Sequence, residues 1–233
     1  MFHSDPMMPA LPLPAKSEPS APARRPAARF WDRIARRYAA SPVKDPPAYQ
    51  TKLALIKELL SSVPDAQVVE IGCGTGSTAL ALAPLAARLR AADVSAEMIA
   101  IASRKARPAG TDGLTFEVAA AEEMKVAPAS QDVVMAHSVL HLLRDRHQAI
   151  AIAFRWLKPG GYFVSSTVCM TEVAPWLRLL APVLGRIGLF PPTLAFFGEA
   201  DLVRSIEAVG FVLEGRFRPA PKAAVFLIAR KPG

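Results

Sequence analysis

The sequence predicts an α/β fold: a doubly wound, seven-stranded, mostly parallel Rossmann-like sheet with an antiparallel last strand. Three observations point there. From residue 67 onward, short Val/Ile/Leu-rich runs alternate with helical patterns, as expected of parallel strands covered on both faces. The stretch VVEIGCGTG, Val68 to Gly76, carries one strand directly into glycines at every second position. The last two strand-like runs, FVLEGRF and AAVFLIA, are joined by RPAPK, which is too short for a crossover and suits an antiparallel pair.

The elements follow in order. Residues 1–28 hold seven prolines and no apolar periodicity, so they are expected to form a disordered tail, leaving residues 29–233 as one domain. RFWDRIARRYAA places Phe30, Ile34 and Tyr38 on one helical stripe, with Arg29, Arg33, Arg36 and Arg37 largely elsewhere, which predicts a basic amphipathic helix. A second helix is expected from Tyr49 to Leu60, and residues 29–62 together form an N-terminal helical lid. DPPAY, Asp45 to Tyr49, reads as the turn that starts this helix, since proline suits a first helical turn. Strands are expected at QVVEI, ARLRAAD, LTFEV, QDVVMA and YFVSSTV. Helices are expected at STALALA, at AEMIAIASRKA capped by Ser95, from Arg146 to Leu157 and from Glu199 to Val209.

Composition narrows the classes. A chain of 233 residues that is 52% hydrophobic can bury one substantial core. Two cysteines are too few for a disulfide framework, and the N-terminus lacks a secretory layout, so a cytoplasmic protein is expected. The most apolar stretch, PWLRLLAPVLGRIGLFPPTLAFF, carries Arg178, Arg186 and four prolines, which argues against a membrane span. Of the net charge of +8, half lies in residues 1–41, where seven Lys/Arg face three acidic residues.

In a doubly wound sheet the ligand lies at the carboxyl ends of the strands, beside the first strand-to-helix turn. The spacing of Gly72, Gly74 and Gly76 departs from the dinucleotide pattern G-x-G-x-x-G, because Ser77 stands where its third glycine belongs. Asp93, about twenty residues further on at the end of the second strand, suits the two hydroxyls of a ribose. VVEIGCGTG, AADVSAEMIAIA, SQDVVMAHSVLHLL and LKPGGYF, in that order over roughly residues 30–230, resemble the class I S-adenosylmethionine-dependent methyltransferases. The likeness is narrower to the ubiquinone/menaquinone-biosynthesis-like group that acts on small molecules.

The resemblance implies S-adenosylmethionine as cofactor, with its methionyl end against Gly72, Gly74 and Gly76 and Glu70 helping to hold its amino group. It places Asp93 on the ribose, Met98 on the adenine face and Tyr38, from the first helix, over the cofactor. His137 takes a binding role near the cofactor. The family often has an Asp, on the adenine amino group, where this chain has Ala120, so Glu122 or backbone groups are expected to serve instead. For Met98 the competing reading is ordinary core packing.

Methyl transfer from a sulfonium mainly requires alignment and dryness, and a base helps when the acceptor is a hydroxyl or an acidic carbon. His141 is the candidate base, its alternative being a histidine hydrogen-bonded under the lid. His137 and His141, spaced i and i+4, could share a helical face, but the glutamate of a zinc-protease motif is missing and no metal is expected. Residues 172–198, almost wholly apolar, are expected to form a substrate cap, which points to a small, hydrophobic or lipid-like acceptor; the alternative is that they extend the core. The cap and the basic helix together suggest peripheral contact with an anionic membrane, against the alternative of a solvated Arg face. The rival functions are an NAD(P)-dependent reductase, a SAM-fold binding protein without turnover, and a nucleic-acid methyltransferase. The last lacks a basic and aromatic platform along the strands, so no nucleic-acid partner is expected.

Overall fold

The structure is a computed structural model that describes residues 26–107, 110 and 112–233. Seven strands form one sheet: β1 (Gln67–Ile71), β2 (Arg88–Asp93), β3 (Leu114–Val118), β4 (Gln131–His137), β5 (Leu157–Thr167), β6 (Val212–Phe217) and β7 (Val225–Arg230). Their order is β3-β2-β1-β4-β5-β7-β6. All pairs are parallel except those of β7, which runs antiparallel to both β5 and β6. The order reverses between β1 and β4, and the crevice outside their carboxyl ends is where such sheets bind ligands.

Among the described residues eight α-helices flank the sheet: α1 (Pro26–Ala40), α2 (Pro46–Ser61), α3 (Ser77–Leu82), α4 (Ala96–Ala106), α5 (Arg146–Trp156), α6 (Met170–Val173), α7 (Leu177–Arg186) and α8 (Glu199–Glu207). Strand alternation sends side chains to two cores. On one face Leu53, Ile56 and Leu60 of α2 pack on Val68, Leu89, Met135, Val164 and Phe226. On the other, Ile150 and Trp156 of α5 and Leu202 and Ile206 of α8 pack on Val69, Val134, Phe163 and Leu227. Side-chain caps set three helix starts, with Asp45, Ser95 and Asp145 each accepting a backbone N–H three residues ahead. DPPAY is thus a helix start, with prolines in the first turn of α2.

Two expectations about the N-terminus change. Helix α1 begins at Pro26, so residues 26–28 are helical and Ala28 is buried; the rest of the expected tail lies outside the described residues. Nor does the stripe of Phe30, Ile34 and Tyr38 form the packed face. Ala28 and Ala35 are the buried residues of α1, and Ala35 packs with Trp31 and Ala39 against Met98 and Ile101 of α4. Small residues let the two helices approach closely, which outweighs the larger side chains on the neighbouring stripe. One strand also grows: Leu157, expected to end α5, and the KPGG after it join β5 across an irregularity in register opposite Gln131 and Val133.

Candidate active site

The chain leaves β1 at Ile71 and reaches α3 through the turn Gly72–Gly76, in which all three glycines have positive φ, 68°, 54° and 72°. Only one of them opens onto free space. A Cβ on Gly72 would meet Val139 at 2.5 Å, and one on Gly76 would meet Phe116 and Ala102 at 2.7 and 2.8 Å. Those two positions are demanded by packing of the protein on itself. At Gly74 the nearest atom to such a Cβ is Tyr38 Cε1, 4.0 Å away, so the backbone there faces a gap roofed by that ring.

Asp93 holds this turn from β2. The Gly74 N–H donates to its Oδ2 (3.0 Å) and the Ser95 N–H to its Oδ1 (2.9 Å). Burial raises the pKa of its carboxyl, partly offset by these two backbone donors. Each oxygen keeps a further acceptor site, so the residue that braces the turn can also accept from a ligand's hydroxyls. Tyr38, half exposed, has a hydroxyl whose pKa is raised by burial first and by the charge of Asp93 second. Helix α1 is fixed above the site by Asp32, whose Oδ1 accepts from Ser95 Oγ (2.7 Å) and from the Glu97 N–H (3.1 Å).

A polar group lies on the α2 side of the same edge. Glu70, 2% exposed at the end of β1, has Oε1 3.3 Å from His137 Nδ1 at the end of β4. The His137 ring lies parallel to Phe226 with centroids 6.5 Å apart. Glu70 Oε2 and His137 Nε2 are buried without a partner. An unsatisfied buried polar atom costs about 1–3 kcal/mol, so one on each of two paired side chains marks a place that stability alone does not explain. Opposite His137 in the β4–β5 register stands Ser166, whose Oγ accepts from Lys52 Nζ of α2 (2.9 Å). Burial lowers the Lys52 pKa.

Several expected residues lie elsewhere or are engaged otherwise. Met98, 2% exposed, fills the seam between α1 and α4, so packing takes the place of the expected adenine contact. Glu122 lines a surface hollow with Gln148, Ala151, Ile152 and Arg155 of α5. Ala120 is buried, and its N–H donates to Glu123 Oε2 (2.9 Å). His137 and His141 share no helix: β4 ends at His137, Ser138 has φ 53°, and His141 sits in the 3-10 turn Leu140–Leu142. His141 is 8% exposed with Nδ1 unpartnered, and burial lowers its pKa to about 4, which makes it a weak proton acceptor. Among the described residues no three His, Cys, Asp or Glu are grouped to hold a metal.

The apolar segment after β5 divides in two. Met170, Leu177 and Ala181 are buried, with the half-buried Leu184, Phe190, Leu194 and Phe196 packed against them as the underside of the cap. Trp176, Leu179, Leu180, Val183, Ile187 and Leu189 are exposed, Leu179 by 83%. The cap is tied down over His141, since the Ala195 N–H donates to the His141 carbonyl (2.8 Å) and Thr193 Oγ1 to that of Leu142. Arg218 holds its two ends through Glu172 (2.6 Å) and Glu199 (2.9 Å). Arg33 of α1 donates to the Gly188 carbonyl, joining the basic helix to the cap.

Sequence reasoning missed Lys52, Asp32 and Ser166. For Lys52 a signal existed: it stands three residues from Tyr49 and four from Ile56, beside the buried stripe Leu53, Ile56 and Leu60. The other two acquire their partners only across the fold.

A mostly parallel seven-stranded sheet with one antiparallel strand, a glycine turn after β1 and an acid after β2 defines the Rossmann-like fold of S-adenosylmethionine-dependent methyltransferases. Comparison with known proteins agrees: residues 69–165 match the family model of a methyltransferase domain. A methyltransferase, YcgJ of Bacillus subtilis (strain 168), is 31% identical over 98 residues, 42% of this chain and 39% of that protein. A ubiquinone biosynthesis O-methyltransferase of Paracidovorax citrulli is 28% identical over 124 residues, 52% of each chain. The chain thus spans about half the length, or less, of these curated relatives. The solved structure of a geranyl diphosphate methyltransferase, in complex with that diphosphate and sinefungin, superposes with a TM-score of 0.69 at 14% identity, covering 91% of this chain and 100% of that one.

Proposed function

We propose that the protein transfers the methyl group of S-adenosylmethionine to a small, hydrophobic acceptor. One observation carries this reading: Gly74, held by Asp93, leaves an open backbone under Tyr38 at the carboxyl edge of β1, beside the unpartnered Glu70 oxygen. Those residues fit the group's methionyl and ribose ends. Glu70 Oε2 would accept from the amino group, Asp93 from the ribose hydroxyls, and Tyr38 would cover the gap. At the adenine end no carboxylate stands at Ala120, so backbone groups there take its part. When bound, S-adenosylmethionine supplies an electrophilic methyl group whose sulfur departs uncharged. The chain's own task is then to orient the acceptor and exclude water, and the cap with its apolar underside serves both.

The relatives' names, one for ubiquinone biosynthesis and one for geranyl diphosphate, support a small-molecule acceptor with apolar bulk. The exposed apolar face of the cap, joined through Arg33 to the arginines of α1, favours delivery of that acceptor from the surface of an anionic membrane, with the protein in the cytoplasm. No helix among the described residues is long and apolar enough to cross one. Calorimetry tests the cofactor: S-adenosylmethionine and S-adenosylhomocysteine should bind, and NADPH should not. Binding of NADPH in their place would return the reductase reading, while binding without transfer of labelled methyl to any extract would return the reading without turnover.

A further inference from the structure

We propose that Glu70 and His137 form an orienting acid and base that remove a proton from the acceptor, which makes the methylated group a hydroxyl. This rests on the methyltransferase reading above. The pair is assembled by the sheet itself. β1 and β4 are adjacent and parallel, and Glu70 pairs with Met135, so Glu70 and His137 stand two positions apart along one face at the carboxyl edge. A carboxylate oxygen can only accept, so the 3.3 Å contact requires Nδ1 of His137 to carry the hydrogen. The neutral ring then presents a bare Nε2 lone pair, and that atom is buried with no protein partner. The parallel Phe226 ring fixes the plane of the imidazole.

The arrangement has the parts of a general base: an acid on one ring nitrogen, and on the other a lone pair that is buried without a protein partner at a cost in stability. His141 is shut under the cap, where burial pushes its pKa down to about 4, so it is a weak base. Lys52 places a second donor at Ser166, the register neighbour of His137, and brings a cation toward the position where an acceptor oxygen would gain negative charge.

Of the two acceptors that a base helps, a hydroxyl and an acidic carbon, we take the hydroxyl, as in the relative named a ubiquinone biosynthesis O-methyltransferase, and the base disfavours an amine. An amine offers its own lone pair and can give up a proton after the bond has formed. A neutral hydroxyl oxygen is a weak nucleophile until its proton is leaving, so a positioned base matters most for it. In the step, the acceptor O–H proton passes to His137 Nε2 while the oxygen bonds to the methyl carbon. The carbon–sulfur bond breaks with its electron pair left on sulfur. The imidazolium so formed is balanced by the Glu70 carboxylate and later returns its proton to solvent.

Nitrogen NMR of the histidine-labelled, cofactor-free protein reads the premise directly. We expect neutral His137 to be the Nδ1–H tautomer, and Glu70→Gln, whose amide can also donate to Nδ1, to abolish that preference. An Nε2–H tautomer in the unmodified protein, or a preference that survives Glu70→Gln, overturns the pair. Transfer of labelled methyl from S-adenosylmethionine into the solvent-extractable small molecules of a cell extract reads the chemistry. His137→Gln should lower the initial rate by about 10²–10⁴, the range for positioned proton transfer, with the label recovered as a methyl ether in the unmodified reaction. An undiminished rate, or label on nitrogen or carbon, counts against the proposal. Failure of the unmodified protein to bind S-adenosylhomocysteine would refute the methyltransferase reading itself, a result distinct from the wrong tautomer.

Discussion

Replacing His141 with leucine should change how the protein's stability responds to acid. Burial among apolar groups disfavours the charged ring, and the pKa falls from the usual 6.5 to about 4. The folded-state pKa is the depressed one, so as pH falls the unfolded chain takes up its proton first. The stability from this residue is therefore complete above about 6.5, is lost progressively from there down to about 4, and changes no further below that. At 1.36 kcal/mol per pH unit the whole effect is on the order of 3 kcal/mol, of which about 2 kcal/mol falls between pH 7 and pH 5. His141→Leu removes the titration. Urea unfolding of both proteins, followed by tryptophan fluorescence at pH 7 and pH 5, should show the variant gaining about 2 kcal/mol on the unmodified protein over that interval. Asp93, whose pKa burial raises, acts in the opposite sense at lower pH, but it is present in both proteins and cancels in the difference. Parallel losses of stability in the two proteins, or a His141 ring proton titrating near 6.5, would refute the reasoning. The result bears on catalysis too, because a ring already neutral throughout the physiological range can give activity no inflection near pH 6.5.

The glycines of the turn should separate by role. Gly76→Ala drives a Cβ into Phe116 and Ala102 and should lower the melting temperature, whereas Gly74→Val should chiefly cost affinity for S-adenosylhomocysteine in calorimetry; equal effects of both on stability would contradict the assignment. Asp93→Ala should weaken S-adenosylmethionine binding by about 1.5–3 kcal/mol, the range for a charge-assisted partner, and also lower stability because two backbone donors lose their acceptor. Unchanged affinity in that variant would remove the ribose contact. Leu179→Glu, at a position 83% exposed, should shift stability by less than about 0.5 kcal/mol while reducing co-sedimentation with phosphatidylglycerol vesicles. Co-sedimentation as strong as that of the unmodified protein would place membrane contact elsewhere or nowhere.

Much of this protein is written locally. Strands β1 and β3 and helix α4 fall where periodicity, side-chain caps and turn residues place them, because a central parallel strand such as β1, buried on both faces, must be apolar and a helix start must satisfy its free N–H groups. Gly72, Gly74 and Gly76 and the acid at 93 were likewise legible, since their spacing along the chain is itself the signal. What each glycine faces was not. Val139, Phe116 and Ala102 reach Gly72 and Gly76 from distant segments, and only the assembled sheet shows that Gly74 alone is open. The packed face of α1 was misread for a related reason: hydropathy favours Phe30, Ile34 and Tyr38, while close approach to α4 favours the alanines. Glu70 and His137 are 67 residues apart, and Lys52 and Ser166 are 114 apart. The sequence by itself determined the sheet, its turns and the residue types at its carboxyl edge. Which of those residues touch, which stay unpartnered and which histidine is shut under the cap were decided by the tertiary structure, because desolvation and hydrogen-bond satisfaction depend on neighbours that only strand order and helix packing bring together.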